Sequence, residues 1–131
     1  MISEEQQTEL RKRFNPDGST LRAMQLKMVE MLEYFDSICK QHNIKYWLSS
    51  GTLLGAVRHG GFIPWDDDLD VEMFEEDYHK FCEVFKNIQS DDYALQTHET
   101  DPDFYYPCAK LRDLHSHIEE IYRFDLRYKY R

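Results

Sequence analysis

The sequence predicts an α+β domain in which a short mixed β-sheet is covered by packed helices. Three patterns carry this expectation: an apolar stripe at helical spacing between Thr20 and His42, short β-prone runs with period-two alternation, and a small-residue turn joining one such run to another helix. The 131 residues suit one core, because a chain of this size buries roughly two thirds of the surface it exposes when unfolded.

Residues 1–19 read as a polar N-terminal appendage, only partly ordered, ending in the turn cluster Asn15-Pro16-Asp17-Gly18-Ser19, and the domain proper is expected over residues 20–131. Leu21, Met24, Met28, Met31 or Leu32, Phe35 and Ile38 or Cys39 recur at steps of three and four, which makes an amphipathic helix that Asn43 breaks. Ile44–Leu48 is a core strand. Ser49-Ser50-Gly51 turns it into a helix in which Leu53, Leu54 and Val57 share a face, Gly55 permits close packing and His59-Gly60-Gly61 terminates. Such a turn leaves first-turn N–H groups unpaired and open to an anion. In the next strand Leu69, Val71 and Met73 alternate with Asp68, Asp70 and Glu72, so one face is acidic and the other apolar. A helix from Glu75 to about Gln89 follows, with Tyr78, Phe81, Cys82, Phe85 and Ile88 inward. Tyr93–Gln96 is a strand, and Tyr105–Arg112 another, expected to form a hairpin around His115 with the run from Ser116 to Tyr122.

Sixteen basic against twenty-five acidic residues give a net charge of −9, which opposes a nucleic-acid or anionic-membrane footprint. A phosphate-handling site in such a chain needs metal ions. Cys39, Cys82 and Cys108 are odd in number, far apart and form no CxxC pair, so they are expected as reduced, buried thiols. No signal peptide or apolar run of about 20 residues is present, which implies no membrane span and a cytoplasmic address, with peripheral attachment at the inner membrane face as the variant.

Side chains two apart on a strand point the same way, so Asp68 and Asp70 can converge on Mg²⁺ or Mn²⁺, which relieves their repulsion and keeps positions open for substrate phosphate. The Ser50-Gly51-Thr52 turn supplies N–H donors beside them. The block Tyr46–His59, reading YWLSSGTLLGAVRH, followed by Gly61–Asp70, reading GFIPWDDDLD, closely resembles the signature of the LicD phosphocholine transferases, which have a nucleotidyltransferase fold; the fukutin-type sugar transferases are more distant relatives. The resemblance runs from about Leu21 to Asp113. It implies a metal-dependent phosphotransferase that moves phosphocholine, or a related phospho-alditol group, from a CDP-activated donor, CDP-choline foremost, to a carbohydrate hydroxyl.

Carried over by position, Asp68 and Asp70 are the metal ligands and catalytic carboxylates, with Ser50, Gly51 and Thr52 cradling donor phosphates. Arg58 is a candidate to neutralise a phosphate, an ordinary salt bridge being the equal alternative. Lys110 and Arg112 are candidates for the same pocket, against a solvated-surface role. Trp65 is expected to pack, Asp66 to stand behind the metal ligands and Asp67 to face away or cap a turn, while His115 and His117 are expected at the surface. The family's third carboxylate on a later strand has no evident equivalent; Glu119, Asp125 and Asp113 are not separable by spacing. An incomplete form of the family domain is therefore expected, and two other readings stay open. One is a truncated, non-catalytic nucleotide- or partner-binding relative, as a homo-oligomer or with a partner chain completing the site. The other is a minimal nucleotidyltransferase of the toxin–antitoxin type.

Overall fold

The computed structural model describes residues 1–118 and 128–130. Its elements are α1 (Glu4–Phe14), α2 (Thr20–Gln41), β1 (Trp47–Leu48), α3 (Ser50–His59), β2 (Val71–Glu72), α4 (Glu75–Asn87), β3 (Tyr93–Gln96) and β4 (Lys110–Asp113). The class is α+β, as expected. The chain forms two compact units, residues 1–79 and 80–131.

In place of a mixed sheet, the described residues form two separate antiparallel pairs, β1 with β2 and β3 with β4. The direction of β2 follows from its entry point. Residues 60–70 return the chain to the end of β1 that it left, where the Ser49 N–H donates to the Asp70 carbonyl at 3.1 Å, so β2 has to run back along β1.

The N-terminal segment is not the partly ordered appendage that its polarity suggests. A capping box joins Ser3 and Gln6, Glu4 and Glu5 occupy the first turn, and Arg11, Lys12 and Arg13 the last, so α1 is specified by its ends although it buries no residue. It is tied down as well: the Ile2 N–H donates to the Arg58 carbonyl at 3.1 Å, and Asn15, just past its end, is 1% exposed. Ser19 caps α2 by accepting from the Arg22 N–H, and the helix stops where Asn43 takes a φ of 52°. Phe35, Ile38 and Cys39 are its buried apolar residues; Phe35 meets the Tyr46 ring edge-on at 4.8 Å. Burial, reinforced by Asp36 and Asp77, pushes the Cys39 thiol up to about 12, so it is inert at neutral pH. Cys82 is half-buried and Cys108 exposed, which corrects the expectation of three buried thiols.

Helix α3 ends at Gly60, which takes a left-handed φ of 68°. Leu53, Leu54 and Val57 do share a face, yet it is the outward one, 46–63% exposed. The inward face is Gly55, where an added Cβ would lie 2.5 Å from the Gly61 carbonyl oxygen and 2.9 Å from the Ile63 nitrogen.

In the second unit, Phe81 and Phe85 are the buried residues of α4, as their spacing predicts. Strand β3 matches its expected bounds, and its partner is β4, in the register Tyr93↔Asp113 to Gln96↔Lys110. Residues 105–109 are irregular, and so are 116–118; the remainder of the run expected to pair around His115 lies outside the described residues, as do Glu119 and Asp125. Phe104, 2% exposed, meets Tyr128 edge-on at 5.5 Å. Beside it a polar cluster is fully satisfied. Gln96 Nε2 donates to Asp101 Oδ2 (2.7 Å) and to the Tyr130 carbonyl (2.8 Å), while the Lys129 N–H donates to the same carboxylate (2.7 Å). Burial, the largest influence on Asp101, would raise its pKa, but these donors together hold it below the usual carboxylate value.

Gly55→Ala places a methyl group against backbone that cannot swing aside. We expect a loss of about 1–3 kcal/mol, the usual range for overpacking, read as a lowered urea midpoint.

Candidate functional site

The site is built where β1 turns into α3 and where the acidic loop returns to β2. Ser50 makes the turn with a φ of 50°, a conformation that costs a non-glycine residue on the order of 1 kcal/mol or more and clusters at functional positions. Ser49 is the N-cap of α3 by position but gives that helix no side-chain hydrogen bond. Its hydroxyl donates instead to Glu72 Oε1 at 2.6 Å, and Trp47 Nε1 donates to Glu72 Oε2 at 3.1 Å. These two donors, Ser49 first, hold Glu72 below the ordinary carboxylate value. The first turn of α3 is thus left without its N-cap side chain, and its N–H groups have no carbonyl partner within the helix.

The acidic loop lies against that turn. A Cβ on Gly51 would sit 2.7 Å from Asp66 Oδ2, so glycine is what lets the carboxylate approach. Asp66, Asp67 and Asp68 each offer an oxygen, and the three oxygens lie within 4.8 Å of one another. This all-oxygen set of carboxylates, next to a cradle that a single methyl would fill, fits a hard divalent cation. Asp67 does not face away. The period-two argument that turned it outward requires extended strand, and regular pairing begins only at Val71.

Downstream, alternation holds: Leu69, Val71 and Met73 are half-buried, and Asp68, Asp70 and Glu72 are exposed. Asp70 does not join the group of three. Its backbone is fixed on both sides, the N–H donating to Thr52 Oγ1 at 2.9 Å and the carbonyl accepting from Ser49, so the Thr52 hydroxyl stitches α3 to the acidic segment. Arg58 takes neither of its expected roles through Nε, which donates to His59 Nε2 at 2.9 Å; the remaining proton of that ring, on Nδ1, goes to Gln7 Oε1 at 2.7 Å. Trp65 packs, meeting the Phe14 ring edge-on at 5.1 Å while staying half exposed. In the second unit, Lys110 lies over the Tyr106 ring at 4.0 Å, Arg112 Nε donates to Gln96 Oε1 at 2.8 Å, and His115 pairs with Asp92 at 2.8 Å.

One residue escaped the sequence reading. Gln25 of α2 is fully buried, and its Nε2 donates to the carbonyls of Asp66 (2.9 Å), Ile63 and Pro64 (both 3.4 Å). Its signal was present: Leu21, Gln25, Met28, Leu32 and Phe35 follow helical spacing, so a polar residue sits within the apolar stripe.

The family model described as LicD/FKTN/FKRP, nucleotidyltransferase domain, matches residues 43–116, which span the turn, the acidic loop and both strand pairs. The chain belongs to this family. It is 45% identical over 80 residues to the lipopolysaccharide cholinephosphotransferase LicD of Haemophilus influenzae, covering 61% of this chain and 30% of that protein. It is 38% identical over 61 residues to the human ribitol 5-phosphate transferase FKRP, covering 47% of this chain and 12% of the relative. To the yeast mannosyltransferase regulator 4 it is 39% identical over 49 residues, 37% of this chain and 4% of that protein. The chain thus spans less than a third of the length of these relatives. No solved structure matches it. No helix among the described residues is long and apolar enough to cross a membrane.

Two outcomes follow from the site. Gly51→Ala meets only the movable end of Asp66, so we expect a stability change within about 0.5 kcal/mol in urea unfolding and, in the same protein, a displaced Asp66 carboxylate visible in its side-chain NMR shifts. Burial first, and the Arg58 charge second, hold His59 below its ordinary value of 6.5. A base with a depressed folded pKa favours folding at pH above 6.5, and that contribution is lost as pH falls from there toward the folded value. Urea midpoints measured between pH 7.5 and 5.5 should fall with pH, and less steeply in His59→Gln.

Proposed function

We propose that this chain carries the metal and donor site of a phosphotransferase that moves phosphocholine, or a related phospho-alditol group, from a CDP-activated donor to a glycan hydroxyl. The observation that carries the reading is the contact of Asp66 with Gly51, which joins a three-carboxylate loop to an uncapped helix start. Asp66, Asp67 and Asp68 would hold Mg²⁺ or Mn²⁺, with Asp70 alongside, and the bound ion would supply charge neutralisation at the transferred phosphoryl group. The first-turn N–H groups of Ser50, Gly51 and Thr52 would take phosphate oxygens, aided by the positive end of α3. The Thr52 hydroxyl accepts from Asp70, so its own proton remains to be donated to the donor. Lys110 and Arg112 are carried into this reading by the sequence block alone. A carboxylate of the loop, drawing the proton from the acceptor hydroxyl, would serve as general base.

A second reading is binding without turnover. Glu72, the carboxylate that follows Asp68 and Asp70 in alternation, has both oxygens engaged by Ser49 and Trp47, which favours a site with fewer ligands than a full catalytic centre uses.

Calorimetric titration of CDP-choline and CDP, each with and without Mg²⁺, tests both readings against an Asp68→Asn/Asp70→Asn double variant. Metal-dependent binding to the native chain, weakened at least tenfold (about 1.4 kcal/mol) in the variant, is the expected result. A folded native chain that binds neither nucleotide sinks both readings, and binding without phosphocholine transfer to a glycan selects the second.

A further inference from the structure

We infer that Gln25 is a positioning residue for the acidic loop: from α2 it fixes the backbone on which Asp66, Asp67 and Asp68 converge. The inference rests on the metal reading proposed above and names the residue that shapes that site from behind.

The Gln25 side chain is oriented without ambiguity. On one side its Oε1 accepts from Asn15 Nδ2 at 2.7 Å and from the Arg22 guanidinium at 3.3 Å, both of which can only donate at those atoms. On the other side its Nε2 faces three carbonyls, those of Ile63, Pro64 and Asp66, which can only accept. A flipped amide would set an oxygen against three oxygens and an amino group against two donors. The amide is therefore locked, and Gln25 at 0% and Asn15 at 1% exposure leave no room for water to replace either partner.

The far end of the loop is pinned at Asp70 by Thr52 and Ser49, so Gln25 acts at the near end, around Asp66. Residues 61–70 form no strand or helix, and their one internal backbone hydrogen bond runs from the Asp66 N–H to the Ile63 carbonyl at 2.9 Å. That bond closes the turn whose outward carbonyls Gln25 collects. With Gly55 on the opposite side admitting Gly61 and Ile63, and Gly51 admitting Asp66, the turn is held between an amide on α2 and the bare face of α3. Groups that orient metal ligands from behind typically change metal affinity 10- to 100-fold when removed.

The test uses the full chain with Mn²⁺ alone as the probe. Gln25→Met keeps the volume and removes every hydrogen bond, while Asn15→Asp keeps Gln25 but replaces the donor that sets its orientation. Mn²⁺ affinity is read by electron paramagnetic resonance, loop order by hydrogen exchange at the Asp66 amide, and global folding by urea unfolding. We expect folded variants that bind Mn²⁺ about tenfold more weakly or worse and exchange the Asp66 amide faster, with α2 protection unchanged. A folded Gln25→Met variant with native Mn²⁺ affinity and native Asp66 exchange overturns the inference. If Gln25→Met fails to fold, the Asn15→Asp variant decides by the same two readouts. A native chain that binds no Mn²⁺ overturns the metal reading and, with it, the positioning role toward metal, whereas faster Asp66 exchange in the variants alongside native-like metal binding overturns the positioning role alone.

Discussion

Two hydrogen atoms in place of two methyl groups decide where the acidic loop can run. Gly51 and Gly55 stand four residues apart, on one face of α3; the backbone of Gly61 and Ile63 lies against Gly55 at distances no Cβ would permit, and the Asp66 carboxylate lies against Gly51 where a Cβ would displace it. Everything at the site inherits this closeness. The Asp66 carboxylate reaches the first turn of α3, Asp70 reaches the Thr52 hydroxyl, and the chain re-enters beside Ser49 to pair β2 with β1. A bulkier helix face would push the loop outward, and the carboxylates would lose their common neighbourhood with the helix start.

The polar groups around this contact are distributed so that few are wasted. Ser49, which would ordinarily cap its own helix, serves Glu72 instead, and the strand pair is thereby held from side chains as well as from its short ladder. Only two residues on each of β1 and β2 pair, too few to be stable alone. The stitches from Thr52, Ser49 and Trp47 supply what the ladder lacks, and they connect the acidic segment to the turn, two of them by engaging the Glu72 carboxylate and one through the Asp70 backbone. Family membership fits this division of labour, since the matched region, residues 43–116, begins at the turn into β1 and takes in every one of these stitches.

Much of this was legible in the sequence, and the exceptions have physical causes. The break at Asn43, the bounds of β3, the inward pair Phe81 and Phe85, and the alternation through Leu69, Val71 and Met73 follow from periodicity and turn chemistry. Helix α1 was missed because it has no apolar stripe to read; its signal lies in caps and end charges. The orientation of Leu53, Leu54 and Val57 was missed because periodicity groups residues on a face without saying which face is covered, and here glycine, not leucine, marks the inside. Asp67 was turned the wrong way because a two-residue period was applied to a segment that is not strand. Gln25 was missed because a polar residue inside an apolar stripe reads as noise until the carbonyls opposite it are known.

The brace from Asn15 through Gln25 to Asp66 also separates ancestry from architecture. The match to the family model starts at residue 43, yet both amides that hold the acidic loop come from upstream of it, one of them from the turn that follows α1. Residues outside the matched span thus set the geometry of residues inside it. Relatives that keep the acidic motif but arrive at it from a different upstream chain must brace that loop by other means, so the same letters at the motif need not describe the same pocket.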